Sequence, residues 1–127
     1  MRLSQKVLEK RFKKFNEKYF NNELVVPDFI VGGSKWTAGE FKCKYYVEEE
    51  DGVEYATELV NLRIYFSKRL IKNSRILDNI MLHEMIHFYG YYMNLDIKGE
   101  HSDYFLDMAR RINEDGGYKI KAFYEED

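Results

Sequence analysis

An H-E-x-x-H sequence from His83 to His87 lies in a segment with helical periodicity, which limits how the chain can fold. Apolar residues recur at three- and four-residue steps from Ser74 to about Met93, which predicts one long helix. Positions i and i+4 of a helix lie on one face, about a turn apart, so two imidazoles there can bind a single ion. The segment therefore predicts a helix that presents two metal ligands on one face.

The residue types around this helix match the requirements of a catalytic zinc site, which takes three protein ligands and keeps a fourth position for water. His83 and His87 supply two ligands, and His101, the third histidine of the chain, follows a predicted loop at the start of the next helix. Glu84 is predicted to contact the bound water as a base. Three acidic residues are close enough in sequence to replace His101 as the third ligand: Asp96, Glu100 and Asp103.

The N-terminal half predicts a helix followed by a small sheet. Apolar residues from Leu3 to Tyr19 have helical spacing, with Ser4 as the N-cap and an end near Asn21. After Pro27, the sequence predicts a β-rich region in which two runs are separated by an acidic turn. The predicted strand segments are Phe29–Val31, Trp36–Tyr46 and Leu59–Phe66, and the turn is Glu48–Gly52.

The C-terminal part predicts a loop at Asn94–Glu100 and a helix at Ser102–Asn113, which Gly116 and Gly117 end. The tail, Tyr118–Tyr124, is a candidate for a last short strand. The chain is therefore predicted to be α+β, with an N-terminal helix, a small, mostly antiparallel sheet, the H-E-x-x-H helix and a C-terminal helix.

Length and composition predict one domain, residues 1–127, in a reducing compartment. A chain of 127 residues fits a single domain, and one cysteine, Cys43, allows neither an intrachain disulfide nor a cysteine-based zinc site. The first twenty residues are too charged for a secretory signal, and no apolar run reaches the roughly 20 residues that span a bilayer. We therefore expect a cytoplasmic protein without a membrane partner. Its oligomeric state is not predicted.

Motifs along nearly the whole chain resemble the SprT-like family, the zincins that include the Spartan proteases of DNA-protein crosslink repair. The H-E-M-I-H core, a downstream histidine and an R-I-N sequence occur in the same order. The matching positions are Phe15-Asn16, Tyr19–Asn21, Leu24, Pro27, Trp36, Ala38-Gly39, Asn61–Ile64, Ser67, Leu82–His87, Gly99–His101, Phe105 and Arg111–Asn113.

This resemblance implies a minimal zincin-like metalloprotease domain that hydrolyses peptide bonds of protein substrates, including DNA-associated proteins. It matches His101 to the family's third zinc ligand and Glu84 to the base. The family usually has Gly-His-Gly at the third ligand, whereas Glu100 here separates Gly99 from His101. Many relatives also carry a zinc ribbon or further DNA-binding motifs that this chain lacks, so DNA is the partner that the resemblance implies least directly.

Zincins similar to this chain bind substrate as an extended strand along a sheet edge, and Leu59–Phe66 is predicted to supply that edge. Hydroxyls of the aromatic residues after the motif are candidates to stabilise an oxyanion, although packing is the favoured role for each. These residues are Tyr89, Tyr91 and Tyr92. Met85 and Ile86 are predicted to face the core, and Gly90 is predicted to permit close packing or a local kink.

A second hypothesis is a non-proteolytic zinc module that binds nucleic acid or a protein partner. The net charge of −2 argues against general coating of nucleic acid, but the first twenty residues carry seven Lys or Arg against two Glu. A solvated helix face remains the favoured reading of the lysines Lys6, Lys10, Lys13, Lys14 and Lys18. Glu84 separates the hypotheses, because a purely structural metal site has no use for a base.

Overall fold

The computed structural model describes residues 1–96 and 101–122, which form three helices and three strands. The predicted α+β class is confirmed. The elements in chain order are α1 (Gln5–Tyr19), β1 (Asp28–Gly32), β2 (Gly39–Glu50), β3 (Val53–Ser67), α2 (Ser74–Tyr92) and α3 (Asp103–Gly116).

Side-chain caps define where the helices begin. Ser4 Oγ accepts the Val7 amide at the start of α1, as predicted, and Asn73 caps α2 in the same way. Gly117 ends α3 in the left-handed conformation, with φ of 70°. Helix α3 therefore continues to Gly116, three residues past its predicted end.

The strands form one sheet in the order β1-β3-β2. β1 is parallel to β3 along five residue pairs, and the longer β2–β3 ladder is antiparallel, so the sheet is mostly antiparallel, as predicted. The predicted acidic turn is shorter than expected, since Glu48–Glu50 still belong to β2 and the chain reverses at Asp51 and Gly52.

The predicted substrate edge at Leu59–Phe66 is wrong for Arg63–Phe66. These four residues lie in β3 between β1 on one side and β2 on the other, so their backbone hydrogen-bonding groups are used within the sheet. The pairing with β1 begins at Arg63, so the preceding part of the segment, Leu59–Leu62, has β2 alone as its neighbour among the described strands. The outer positions belong to β1 and β2, and β2 is the edge strand that contacts Glu84 of α2.

Helix α2 is buried along most of its length by the sheet, α1 and α3. Its apolar side chains join a core of phenylalanines that includes Phe12, Phe66 and Phe88. Met85 and Ile86, between the motif histidines, are fully buried, which confirms the prediction that they face the core. The H-E-x-x-H sequence is thus fixed in the most buried helix among the described residues.

The described part of the C-terminal tail, residues 118–122, contains no strand, and residues 123 and 124 lie outside the described residues. Side-chain hydrogen bonds from α2 and α3 hold its backbone instead. Across 1–96 and 101–122, none of the helices combines the length and apolar composition needed to cross a bilayer.

Candidate metal centre

Helices α2 and α3 bring the three histidines of the chain together. One ring nitrogen from each of His83, His87 and His101 lies within 4.8 Å of the others. His83 and His87 share a face of α2, and His101 lies two residues before α3 begins. The convergence predicted from helical spacing and from the position of His101 is therefore present in the fold.

The spacing of these nitrogens fits a single metal ion. Nε2 of His83 lies 3.3 Å from Nε2 of His101. Two imidazoles bound to a tetrahedral zinc at about 2.0–2.1 Å each would have their nitrogens about 3.3–3.4 Å apart. Among the described residues, Nδ1 of His87 is buried without a hydrogen-bond partner.

Burial keeps these imidazoles neutral, the form that binds metals. Desolvation, aided by the neighbouring imidazoles, lowers the pKa of His83 to about 3 and that of His87 to about 4. Desolvation also lowers the pKa of His101, although Asp96 opposes this effect. The 3.8 Å contact between His83 Nε2 and Glu84 Oε2 is therefore not an ion pair.

Phe105 packs against all three imidazoles. Its ring centroid lies 4.7 Å from the ring centroid of each of His83, His87 and His101. The phenylalanine is fully buried and lies in the first turn of α3. Sequence periodicity identified Phe105 as a core residue but gave no indication that it supports the histidine rings.

Glu84 is buried beside the histidines and is held by the sheet. Its Oε1 atom accepts the Phe41 amide at 2.9 Å, while Oε2 faces His83. Desolvation raises the pKa of Glu84 to about 8, and the negative charge of nearby Glu40 acts in the same direction. The hydrogen bond from the Phe41 amide lowers the pKa and so opposes part of this rise. The carboxyl can therefore gain or lose a proton near neutral pH.

Close packing of β2 on α2 makes this contact possible. A Cβ atom on Gly39 would lie 2.5 Å from Ile80 Cγ2 and 3.4 Å from Glu84 Cγ. Only glycine fits there without displacement, so Gly39 lets β2 approach the helix closely enough for the Phe41 amide to reach Glu84.

We expect Gly39→Ala to destabilise the protein by about 1–3 kcal/mol, because the added methyl overlaps Ile80 and separates β2 from α2. Urea denaturation measures the change. Gly33→Ala is the matched control, since a Cβ at Gly33 meets nothing within 4 Å. Equal stabilities of the two variants would contradict the proposed close contact.

In the zinc-free protein, we expect the free energy of unfolding of wild type to fall as pH rises from 4.5 to 8, because Glu84 is buried. Glu84→Gln should not show this fall. The folded-state pKa of Glu84 is about 8, against an ordinary value of 4.5, so the unfolded chain releases this proton first. The Gln variant should therefore be more stable than wild type by on the order of 4 kcal/mol at pH 8, and about equal at pH 4.5.

Urea titrations in a chelator at both pH values measure this difference. Glutamine keeps an oxygen that can accept the Phe41 amide, so the comparison isolates the charge. His83 and His87 act in the opposite direction in both proteins, because their lowered pKa values reduce stability as pH falls below 6.5. A stability gap that does not change with pH would rule out the raised pKa.

The acidic alternatives to His101 are not part of the histidine cluster in the described residues. Asp96 instead accepts a hydrogen bond from Ser102 Oγ at 3.1 Å, and Asp103 is exposed in the first turn of α3. Glu100 lies outside the described residues, as does Gly99. The geometry therefore favours His101 over Asp96 and Asp103.

Other residues singled out from the sequence have packing or surface positions. Tyr89 packs on Phe20, and Tyr91 packs on Phe41 and Tyr45, while Tyr92 is exposed. A Cβ at Gly90 would lie 3.0 Å from the Tyr104 ring, which confirms its close packing.

Cys43 is a partly buried free thiol, as predicted, and burial raises its pKa to about 11. A nucleophilic cysteine needs a lowered pKa, so this thiol is not activated. The five lysines of α1 considered for nucleic-acid contact are all exposed. Two of them lie near carboxylates, with Lys13 beside Glu9 and Lys18 beside Asp115.

Comparison with known proteins agrees with the resemblance in the sequence. No curated protein matches the chain. The model of the SprT-like family matches residues 8–123, which include the three histidines, Glu84 and every helix and strand described above except the first three residues of α1. The chain therefore belongs to the SprT-like family.

Proposed function

We propose that this protein is a zinc metallopeptidase of the zincin type, a single domain that hydrolyses peptide bonds of protein substrates. The observation that carries the proposal is the convergence of three neutral imidazoles beside a buried carboxyl whose pKa lies near neutrality. Membership of the SprT-like family supports the same chemistry. The single cysteine fits the reducing cytoplasm.

His83, His87 and His101 would hold the zinc ion. Three neutral nitrogen donors suit zinc, and a three-ligand site leaves one position for water or substrate. When bound, zinc lowers the pKa of a water molecule toward 7 and polarises the scissile carbonyl. Phe105 is fully buried and packs against all three rings, so it would hold their orientation around the ion.

Glu84 would act as general base and then as general acid. Phe41 holds one carboxylate oxygen, which leaves the other directed toward His83. The carboxylate accepts a proton from the attacking water and delivers it to the leaving amine of the substrate. A group that acts first as base and then as acid needs a pKa not far from the working pH, and burial shifts the pKa of Glu84 upward in that direction.

The edge of β2 would bind the substrate as an extended strand. β2 pairs with β3 on one side, and among residues 1–96 and 101–122 no strand pairs with its other side. The Phe41 amide points to Glu84 and is therefore directed away from β3. A peptide aligned along this edge would pass beside the carboxylate, and backbone hydrogen bonds would give affinity without strict sequence preference.

The site is less suited to a purely structural module. Structural zinc sites are normally closed by four protein ligands, whereas the described residues bring three together. Burying Glu84 also costs stability, which a site without proton chemistry would not require. DNA-associated proteins as substrates, and DNA as a partner, are proposed from the family and from the exposed lysines of α1.

Removing the metal should abolish hydrolysis of casein, and adding about one equivalent of zinc should restore it. The reason is that the proposed reaction depends on a water molecule activated by the zinc ion that the three imidazoles hold. Release of fluorescent peptides from labelled casein measures the reaction, with and without DNA in case DNA is an activator. Zinc-loaded protein that cleaves no substrate in either condition would contradict the proposed peptidase.

A further inference from the structure

The C-terminal segment, defined as Tyr118–Lys121, folds back from α3 toward the candidate metal centre. Gly117 reverses the chain, and Asn113 then binds the segment through two hydrogen bonds. Asn113 Nδ2 donates to the Ile120 carbonyl at 3.0 Å, and the Ile120 amide donates to Asn113 Oδ1 at 2.8 Å. Both backbone groups of one buried residue are thus held by a single side chain.

The segment ends against a candidate zinc ligand. The Lys121 carbonyl lies 2.7 Å from Nδ1 of His83, one residue beyond the pair held by Asn113. A carbonyl oxygen can only accept a hydrogen bond, so Nδ1 of the neutral imidazole must carry the proton. Nε2 of His83 then carries the lone pair through which this imidazole would bind a metal, and this atom faces His101 Nε2 at 3.3 Å.

We propose that Asn113 is a positioning residue for His83, acting through the backbone of Ile120 and Lys121. It fixes the carbonyl that selects the metal-binding tautomer and sets the ring orientation. The proposal rests on the zinc site proposed above. Partners that hold the outer nitrogen of a histidine ligand commonly contribute about 10- to 100-fold to metal affinity.

Asn16 supplies a control with the same geometry at another site. Its side chain donates to the Leu24 carbonyl at 2.7 Å and accepts the Leu24 amide at 3.1 Å. The Asn16–Leu24 pair and the Asn113–Ile120 pair therefore contribute similar hydrogen bonds to the fold. Within residues 1–96 and 101–122, no hydrogen bond joins Leu24 to a histidine, whereas the segment that Asn113 holds ends on His83.

The first measurement is zinc affinity, by competition with a chromophoric chelator. We expect Asn113→Ala to bind zinc about 10- to 100-fold more weakly than wild type, and Asn16→Ala to remain close to wild type. Asn113→Asp keeps the acceptor for the Ile120 amide but loses the donor, so its affinity should lie between those of wild type and Asn113→Ala. Equal affinities of the Asn113→Ala and Asn16→Ala variants would overturn the proposal.

The second measurement is the tautomer of His83 in the zinc-free protein, from the ¹⁵N shifts of its imidazole nitrogens. Wild type and Asn16→Ala should show Nδ1 protonated, and Asn113→Ala should show a mixture of tautomers. An unchanged tautomer in Asn113→Ala overturns the role of Asn113, whatever its zinc affinity. Because this readout needs no zinc, failure of wild type to bind zinc would reject the proposed function separately.

Discussion

Glu84→Gln is expected to lower casein hydrolysis by about 10²- to 10⁴-fold while the zinc content stays at the wild-type level. Glutamine has nearly the same shape and can still accept the Phe41 amide, but it cannot take a proton from water. The three imidazoles are unchanged by this substitution. The loss should therefore appear in kcat, and measured zinc per chain should not fall.

A matched control is Glu40→Gln, which removes an exposed carboxylate one residue before Phe41. Glu40 pairs with Lys42 at the surface, so this variant should keep most of the activity. Substantial hydrolysis by Glu84→Gln at full zinc occupancy would show that another group moves the proton. Parallel loss in both variants would indicate a general effect of charge near β2.

His101→Ala is expected to weaken zinc binding by more than about 100-fold and to abolish hydrolysis. Loss of a residue that only supports a metal ligand costs up to roughly 100-fold in affinity, and loss of a ligand itself should cost more. His101 supplies one of three nitrogens in the cluster, and the other two share one helix face. His83 and His87 alone leave the ion two ligands short of a four-coordinate shell. Equilibrium dialysis with zinc and the casein assay measure the two effects.

Asp103→Asn is the control for this change, because Asp103 is exposed in the first turn of α3 and lies outside the histidine cluster. It should bind zinc like wild type. Denaturation of the zinc-free proteins should show that His101→Ala still folds, since His101 is only partly buried. Wild-type zinc affinity in His101→Ala would exclude this histidine as a ligand.

The three histidines of the site could be predicted from the sequence, because their convergence depends on the spacing of side chains along the chain. Helical periodicity placed His83 and His87 on one face, and the position of His101 after a loop allowed it to return to the same ion. The structure brings these three together. Local periodicity is informative here because two of the three residues lie one turn apart on a single helix.

The supporting contacts could not be predicted, because two of them come from backbone groups. The Phe41 amide and the Lys121 carbonyl exist whatever residue occupies those positions, so no residue type indicates their role. Gly39 gave a weak signal as part of the Ala38-Gly39 match to the family. Its physical reason, the close approach of β2 to α2, is apparent only from the packing.

The position of β3 shows a second limit. Alternation of apolar and polar residues from Leu59 to Phe66 correctly predicted a strand, and Ile64 and Phe66 lie on its buried face, but Val60, predicted on the same face, is exposed. Alternation describes the two faces of a sheet and does not identify the strands on either side. The parallel pairing of β1 with β3 joins segments about 35 residues apart along the chain. Local sequence patterns do not show which of two such distant segments pair with each other.

The most direct test of the three-histidine site is an anomalous-scattering map, at the zinc absorption edge, of crystals of the zinc-loaded protein. We expect one zinc ion per chain, bound by ring nitrogens of His83, His87 and His101 at about 2.0–2.1 Å, with a Glu84 oxygen beside the remaining position. A zinc ion bound elsewhere, or a His101 imidazole turned away from the other two, would contradict the proposed centre.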